Sequence, residues 1–258
     1  MELNLSGKRV LVSGSSRGIG LSIAQGFLRE GAHVALTSRS QNDLNQLQMK
    51  LGQKFPPGSI ATFSCDFTDT KTIQRLKGRI ESIWHGLDVL VCNVGSGKSS
   101  SEPLSLPDDF KRIFQTNFDS AVDTTREFYP LLKSSQGNIL FIASIAGMEA
   151  TGAPTDYSVA KSALISFSKN LARKLAADGI RVNCIAPGNV YFSGGRWEEK
   201  MKAEPEKIQQ FIETAVPLGR FGKPEEIAAA VLFLVSELSS FTTGACLVID
   251  GGQTATFF

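Results

Sequence analysis

The chain is short of the residue types that most often announce a metal site or a nucleophile. Its 258 residues include two histidines, His33 and His85, and four cysteines. Cys65, Cys92, Cys184 and Cys246 are far apart and form no C-x-x-C, which argues against a disulfide framework and against a zinc site. Buried reduced thiols are the expectation. A Ser-His-Asp triad or a histidine-centred metal would have to recruit an isolated histidine, so no metal is expected. Long apolar runs are missing too: Ala228 to Val235 is among the longest, far below the roughly 20 residues of a membrane span. The opening Met-Glu-Leu-Asn-Leu-Ser-Gly-Lys-Arg-Val lacks a basic start followed by an apolar segment, which points to the cytoplasm. Strong charge is also absent. Twenty-seven basic against twenty-five acidic residues leave +2, with no dense Lys/Arg run, so neither nucleic acid nor a membrane is an expected partner.

What the chain has is hydrophobic residues, 42% of the total, in a recurring pattern. Apolar, β-branched runs at Arg9 to Ser13, His33 to Thr37, Ile60 to Cys65, Val89 to Cys92, Asn138 to Ser144, Arg181 to Ala186 and Cys246 to Ile249 read as strands buried on both faces. Helical spacing fills the intervals: Ile19, Ile23, Ala24, Phe27 and Leu28 with Gly31 as a stop, then Thr70 to Trp84, Leu106 to Lys133, Tyr157 to Asp178 and Glu225 to Ser236. The expectation is an α/β chain, residues 1–258 forming a single domain of Rossmann type, a doubly wound parallel sheet of about seven strands. One long excursion, 189–217, is expected to carry a helix with Met201, Ile208, Phe211 and Ile212 and to act as a substrate lid.

Three clusters carry chemistry. Ser13-Gly14-Ser15-Ser16-Arg17-Gly18-Ile19-Gly20 follows a strand and opens a helix, a context in which glycines let the backbone meet a pyrophosphate at the positive helix start. Its G-x-x-x-G-x-G spacing is one residue wider than the usual dinucleotide fingerprint. Tyr157 and Lys161 stand at i and i+4 near the start of an apolar helix and so share a face, where an ammonium would lower a phenol pKa. Ser144 ends a strand at the sheet edge where ligands bind, placed to hydrogen-bond a substrate oxygen.

At these residues the chain resembles the classical short-chain dehydrogenase/reductase family from about Leu5 to Gly252. The glycine motif, Asn93-Val94-Gly95, Asn117, Ser144, Tyr157-Ser158-Val159-Ala160-Lys161 and Pro187-Gly188 occur in the family's order. The resemblance implies that Tyr157 is the general acid/base, that Ser144 orients a carbonyl, that Lys161 holds the nicotinamide ribose and lowers the Tyr157 pKa, and that Asn117 organises a proton-relay water. It also implies cofactor contacts at Gly14, Ser16, Arg17, Gly18, Ile19, Gly20, Ser38, Arg39, Asp66, Phe67, Asn93, Gly95, Pro187, Gly188 and Val190, Asp66 matching the family's adenine-binding aspartate. Pairing of the two long helices into a homotetramer is a further implication. The apolar tail Thr254 to Phe258 is expected to be covered by a neighbouring subunit or by the lid.

Cofactor choice can be read from charge. The second strand ends in Thr37-Ser38-Arg39-Ser40, with no acid to bind a free ribose diol, while Arg39 and Arg17 can clamp a 2′-phosphate. NADP(H) is therefore expected over NAD(H). The chain departs from the family at Val94, where alanine is usual, and at Phe192 followed by Ser193, where a threonine usually meets the carboxamide. Tyr191, Phe192 and Trp197, with Gly194-Gly195 as hinge, suggest an aromatic lid over a small-molecule carbonyl or alcohol. The overall look is that of 3-oxoacyl carrier-protein reductases. Of two basic positions that such reductases use for carrier docking, Arg173 matches and the other falls on Ser135, which leaves the thioester open. The rivals are a non-catalytic dinucleotide sensor of the same fold and a nucleotide-sugar epimerase or dehydratase. The intact Asn117, Ser144, Tyr157 and Lys161 argue against the first, and the lack of a substrate domain against the second.

Overall fold

Each apolar run becomes a strand because neighbouring segments of helix can cover both of its faces. In the computed structural model, which describes residues 2–100 and 102–255, the chain runs β1 (Arg9–Val12), α1 (Gly18–Arg29), β2 (His33–Ser38), α2 (Gln41–Gly52), β3 (Ile60–Ser64), α3 (Thr70–Trp84), β4 (Val89–Cys92), α4 (Pro107–Phe114), α5 (Ser120–Ser135) and β5 (Asn138–Ile142). It continues through α6 (Thr155–Leu175), β6 (Arg181–Pro187), α7 (Arg196–Ala203), α8 (Pro205–Ala215), α9 (Pro224–Val235) and β7 (Cys246–Ile249). The seven strands form the expected doubly wound sheet, all parallel, in the order β3-β2-β1-β4-β5-β6-β7. Strand order reverses between β1 and β4, and ligands of open α/β sheets bind in the crevice beyond the carboxyl ends of the strands at such a point.

The sheet separates two apolar layers. On one side Ile23, Phe27, Val34, Leu36, Ile227 and Val231 join α1, β2 and α9. There Gly26 puts no side chain between α1 and Leu232, whose Cδ1 lies 3.0 Å from where a Cβ would stand. On the other side Ile73, Leu76, Phe128, Phe141, Leu164 and Val182 join α3, α5 and α6 to the sheet. No helix among the described residues is long and apolar enough to cross a membrane.

Three features differ from the sequence expectation. The single helix expected over Leu106 to Lys133 is two helices joined by a π-helical turn, Gln115–Asp119. The excursion at 189–217 holds two helices rather than one, α7 ending at Ala203 and α8 starting on Pro205, since proline is favoured at a first turn and poorly tolerated within a helix. A further helix, α2, was not anticipated: only its Leu44 and Leu51 are buried, too little apolar signal to read, although Ser40 caps it by accepting from Asp43 N at 3.2 Å. Of the apolar tail, Thr254 N donates to Asp250 Oδ2 at 2.7 Å and Ala255 N to Glu149 Oε1 at 2.9 Å. Its last three residues, Thr256, Phe257 and Phe258, lie outside the described residues.

Candidate active site

The glycine turn between β1 and α1 is shaped by hydroxyl and amide side chains around it. Thr37 at the end of β2 accepts from Gly14 N at 2.9 Å and donates to Val12 O at 2.8 Å, and its own N–H donates to Ser15 Oγ at 2.8 Å. Asn93 Nδ2 donates to the carbonyls of Ser13 and Gly14, both at 3.0 Å. Gly14 and Gly18 have φ of +63° and +57°, the left-handed region that side chains disfavour. Helix α1 starts at Gly18 with no side chain capping it and no acidic residue in its first turn, so its positive end is left for an anion. That is the donor set a pyrophosphate fits. Gly20 is held closest: a Cβ there would run into the Gly14 carbonyl oxygen and lie 2.5 Å from Asn93 Nδ2. Gly20→Ala is therefore expected to weaken NADPH binding at least about tenfold, ~1.4 kcal/mol, in a fluorescence titration; unchanged affinity would show that the turn is not the phosphate site.

Ser144, Tyr157 and Lys161 come together at the carboxyl ends of β4 to β6. Ser144 ends the segment after β5, where its Oγ caps a short 3-10 turn by accepting from Ala146 N at 3.2 Å and lies near enough to the Tyr157 hydroxyl to influence its ionisation. Gly147 lets that turn press on α6, since a Cβ there would lie 2.6 Å from the Lys161 backbone carbon. Lys161, 3% exposed, donates from Nζ to Ile142 O at 2.9 Å and sits 5.8 Å from the Tyr157 ring centroid. Burial lowers the Lys161 pKa to about 8. Burial likewise raises that of Tyr157, with the nearby Ser144 hydroxyl opposing. The expected depression of the phenol by a neighbouring ammonium is thus not what the chain alone achieves, because both groups are withdrawn from water.

Asn117 lies within the π-helical turn, fully buried. Its Oδ1 accepts from Ser96 N at 3.0 Å, and its Nδ2 donates to Ser96 O and Ile113 O, each at 3.0 Å. The Asn117 amide is thus anchored to the chain, with one Oδ1 lone pair left over. It holds the Gly95–Ser96 turn against Lys161: a Cβ on Gly95 would lie 2.8 Å from Asn117 Oδ1 and 3.1 Å from Lys161 Nζ. Farther along this loop Ser99 donates to the buried Asp156, next to Tyr157.

The residues expected at the adenosine end also converge. Arg39 is exposed and, with Asp66 and Arg75, lines a cavity of about 460 Å³. Burial would raise the Asp66 carboxyl, but hydrogen bonds from Thr68 N and Oγ1, at 2.9 and 2.7 Å, and the charge of Arg39 hold it below its ordinary value. Asp69, not Asp66, caps α3, accepting from Lys71 N at 2.9 Å. Ser38 Oγ accepts from Ser40 N at 3.2 Å. Phe67 and Val190 are buried in the two core layers, so only their backbones are free to face a ligand. Pro187 ends β6, and Gly188 N donates to Ile249 O at 2.9 Å.

The aromatic segment is arranged differently from the expectation. Phe192 lies on the glycine turn, its ring 2.7 Å from the place of a Cβ on Gly18, and Arg17 Nη1 donates to Gly194 O at 3.2 Å. Turn and excursion are thereby stitched together, with the Arg17 guanidinium engaged on the excursion. Trp197 stacks on Phe211 with ring centroids 5.4 Å apart and leans on Phe221 at 4.6 Å. Its ring fills the small core of α7 and α8, which corrects its expected role as a lining of the substrate space. Tyr191 alone of the three is exposed, its hydroxyl 3.4 Å from Glu198 Oε1. Lys98 Nζ pairs with Glu199 at 3.0 Å and ties the loop after β4 to α7.

Sequence reading missed Ser13, Ser15, Thr37 and Gly147. The available signal was a hydroxyl at each strand end beside the glycine turn, and a glycine three residues after Ser144.

Comparison with known proteins agrees with this geometry. A family model described as enoyl-(acyl carrier protein) reductase matches residues 14–254. A tropinone reductase homolog of Arabidopsis thaliana is 34% identical over 99% of this chain and 94% of its own. A 3-oxoacyl-[acyl-carrier-protein] reductase of Thermotoga maritima is 32% identical over 97% and 99%. Among solved structures, L-sorbose reductase of Gluconobacter frateurii, complexed with NADPH and L-sorbose, superposes with a TM-score of 0.93 at 31% identity, covering 100% of both chains.

Proposed function

The chain belongs to the short-chain dehydrogenase/reductase family, and on that premise we propose that it reduces a ketone to a secondary alcohol, using NADPH in preference to NADH. The observation that carries the reading is the juxtaposition of Ser144 with the Tyr157 hydroxyl, with Lys161 buried alongside, in one crevice with an uncapped helix start. NADPH, when bound, supplies the hydride. The chain's own groups handle the proton and the alignment. Ser144 Oγ and the Tyr157 hydroxyl converge on one point, where both can hydrogen-bond a carbonyl oxygen. Tyr157, kept protonated by burial, delivers its proton to that oxygen as negative charge develops. Lys161, anchored on Ile142 O, faces the ribose side, and Asn117 holds the Gly95–Ser96 turn against it. Gly14, Ser16, Gly18, Ile19, Gly20 and Asn93 form or flank the phosphate cradle, Ser38 and Arg39 receive the 2′-phosphate, and Asp66 the adenine amine. The 189–217 segment acts as a lid over the substrate.

The names of the relatives span acyl thioesters, an alkaloid ketone and a sugar, so the test is a panel. Purified protein should oxidise NADPH with at least one ketone among 3-oxoacyl thioesters, bicyclic ketones and ketoses. No turnover with any of them, while NADPH binds, would favour a sensor. A cytoplasmic homotetramer is part of the same reading. Phe110 on α4 and Val159 on α6 are exposed apolar residues, 39% and 44%, of the kind that subunits cover. Light scattering at micromolar concentration should give about four times the chain mass of 27.8 kDa; a monomer would refute the assembly.

A further inference from the structure

Two of the four cysteines are neighbours through the fold and not through the sequence. Parallel pairing of β6 with β7 sets Cys184 directly opposite Cys246, and Cys184 N donates to Ala245 O at 2.8 Å, which locks that register. Both side chains lie on the same face of the sheet, against the layer formed by α5 and α6. Their thiols are near enough to perturb each other's ionisation. Adjacent strands stand about 4.8 Å apart, inside the roughly 4.4–6.8 Å window between Cα atoms that a disulfide requires. The remaining adjustment, drawing the Cβ atoms to about 3.8 Å, falls on β7, a four-residue strand at the edge of the sheet formed by the described residues. Cys65 and Cys92 have no such counterpart: they contact threonine hydroxyls, of Thr72 and Thr125.

We infer that Cys184 and Cys246 form an oxidative modification site, closing a reversible disulfide when the protein meets a peroxide. The pair is asymmetric in the way such chemistry needs. Cys246 is partly exposed and within reach of a peroxide, whereas Cys184 is buried behind it. Cys246 is therefore the attacking thiolate and Cys184 the resolving thiol. The thiolate takes one oxygen from hydrogen peroxide to become a sulfenic acid, releasing hydroxide. The Cys184 sulfur then displaces the sulfenic hydroxyl as water, its proton leaving with it, and the S–S bond forms. Peroxide receives the two electrons that the thiols lose.

The site lies next to the proposed machinery. Cys184 is close enough to Lys161 for each to perturb the other's ionisation. Drawing its sulfur toward β7 changes the packing around the Lys161 ammonium, and turnover should fall. The disulfide rests on strand pairing alone, and only the fall in turnover rests on the role given to Lys161.

The test treats the full chain with hydrogen peroxide, blocks free thiols with iodoacetamide after unfolding, and maps peptides without reduction. A peptide joining Cys184 to Cys246, with Cys65 and Cys92 alkylated, is expected, together with a loss of turnover that dithiothreitol reverses. Cys246→Ser should keep full turnover before and after peroxide and leave Cys184 alkylated. Finding Cys246 as a sulfinic acid beside an alkylated Cys184, or a disulfide between two chains, would overturn the assignment. A mapped Cys184–Cys246 disulfide without loss of turnover would overturn its reach to Lys161 while leaving the proposed reduction intact.

Discussion

Tyr157→Phe is expected to lower kcat by roughly 10²–10⁴, the range that acid/base catalysis supplies, while the affinity for NADPH stays near that of the unchanged protein. Phenylalanine preserves the ring that Lys161 Nζ faces at 5.8 Å and removes only the hydroxyl that Ser144 influences. Packing survives and proton delivery does not. Because burial raises the Tyr157 pKa, the phenol stays protonated through neutral pH, so reduction should be sustained there and decline in alkali. Oxidation of the alcohol needs the phenolate and should quicken with pH. Single-turnover rates with saturating NADPH, measured across pH on both proteins, provide the check. A kcat for Tyr157→Phe near wild type would remove Tyr157 from the chemistry.

The second large effect concerns cofactor choice. Arg39 stands exposed next to Asp66 at the rim of its cavity, with a planar fork suited to a phosphate. Losing one charge-assisted contact costs roughly 1.5–3 kcal/mol, about ten- to a hundredfold in affinity. Arg39→Ala should thus weaken NADPH by that factor and leave NADH almost unchanged. Arg17 can mask the loss only by abandoning Gly194 O, to which it donates at 3.2 Å, so little compensation is expected. Ser38→Asp should go further and invert the preference, since a carboxylate repels the 2′-phosphate and accepts from a free ribose diol. The Ser38 hydroxyl does no more in the structure than accept from Ser40 N, so its replacement disturbs little else. Parallel dissociation constants for both cofactors decide the matter; tighter NADH than NADPH in the unaltered protein defeats the proposal.

Where the sequence was legible, local chemistry and global packing agreed. Val89–Cys92, Cys246–Ile249 and Thr70–Trp84 were read to the residue, the last because Asp69 caps it and its apolar residues keep helical spacing. The site residues were legible as motifs, and the fold does gather Ser144, Tyr157 and Lys161. What escaped reading depends on contacts between distant segments. The π-helical turn that seats Asn117 joins α4 to α5, and no local pattern in the sequence records it. Phe192 and Trp197 announced themselves as lid aromatics, but their partners, Gly18 in one case and Phe211 and Phe221 in the other, lie up to 174 positions away. The balance of charges failed for a similar reason: i, i+4 spacing puts Lys161 beside Tyr157, but only the fold shows how dry Lys161 becomes.

That dryness reaches beyond the reaction into the melting behaviour of the molecule. In the unfolded chain Lys161 would titrate near its ordinary 10.5, and in the folded chain it does so at about 8. Between those values the unfolded form holds a proton that the native form has already released, so the contribution of Lys161 to stability increases with pH across that interval and is least favourable below it. Proton uptake on unfolding at this one position makes the thermal transition buffer-sensitive. A calorimetric scan just above pH 8, repeated in buffers of different ionisation enthalpy, would read the protonation of Lys161 from heat alone, with no substrate in the cell.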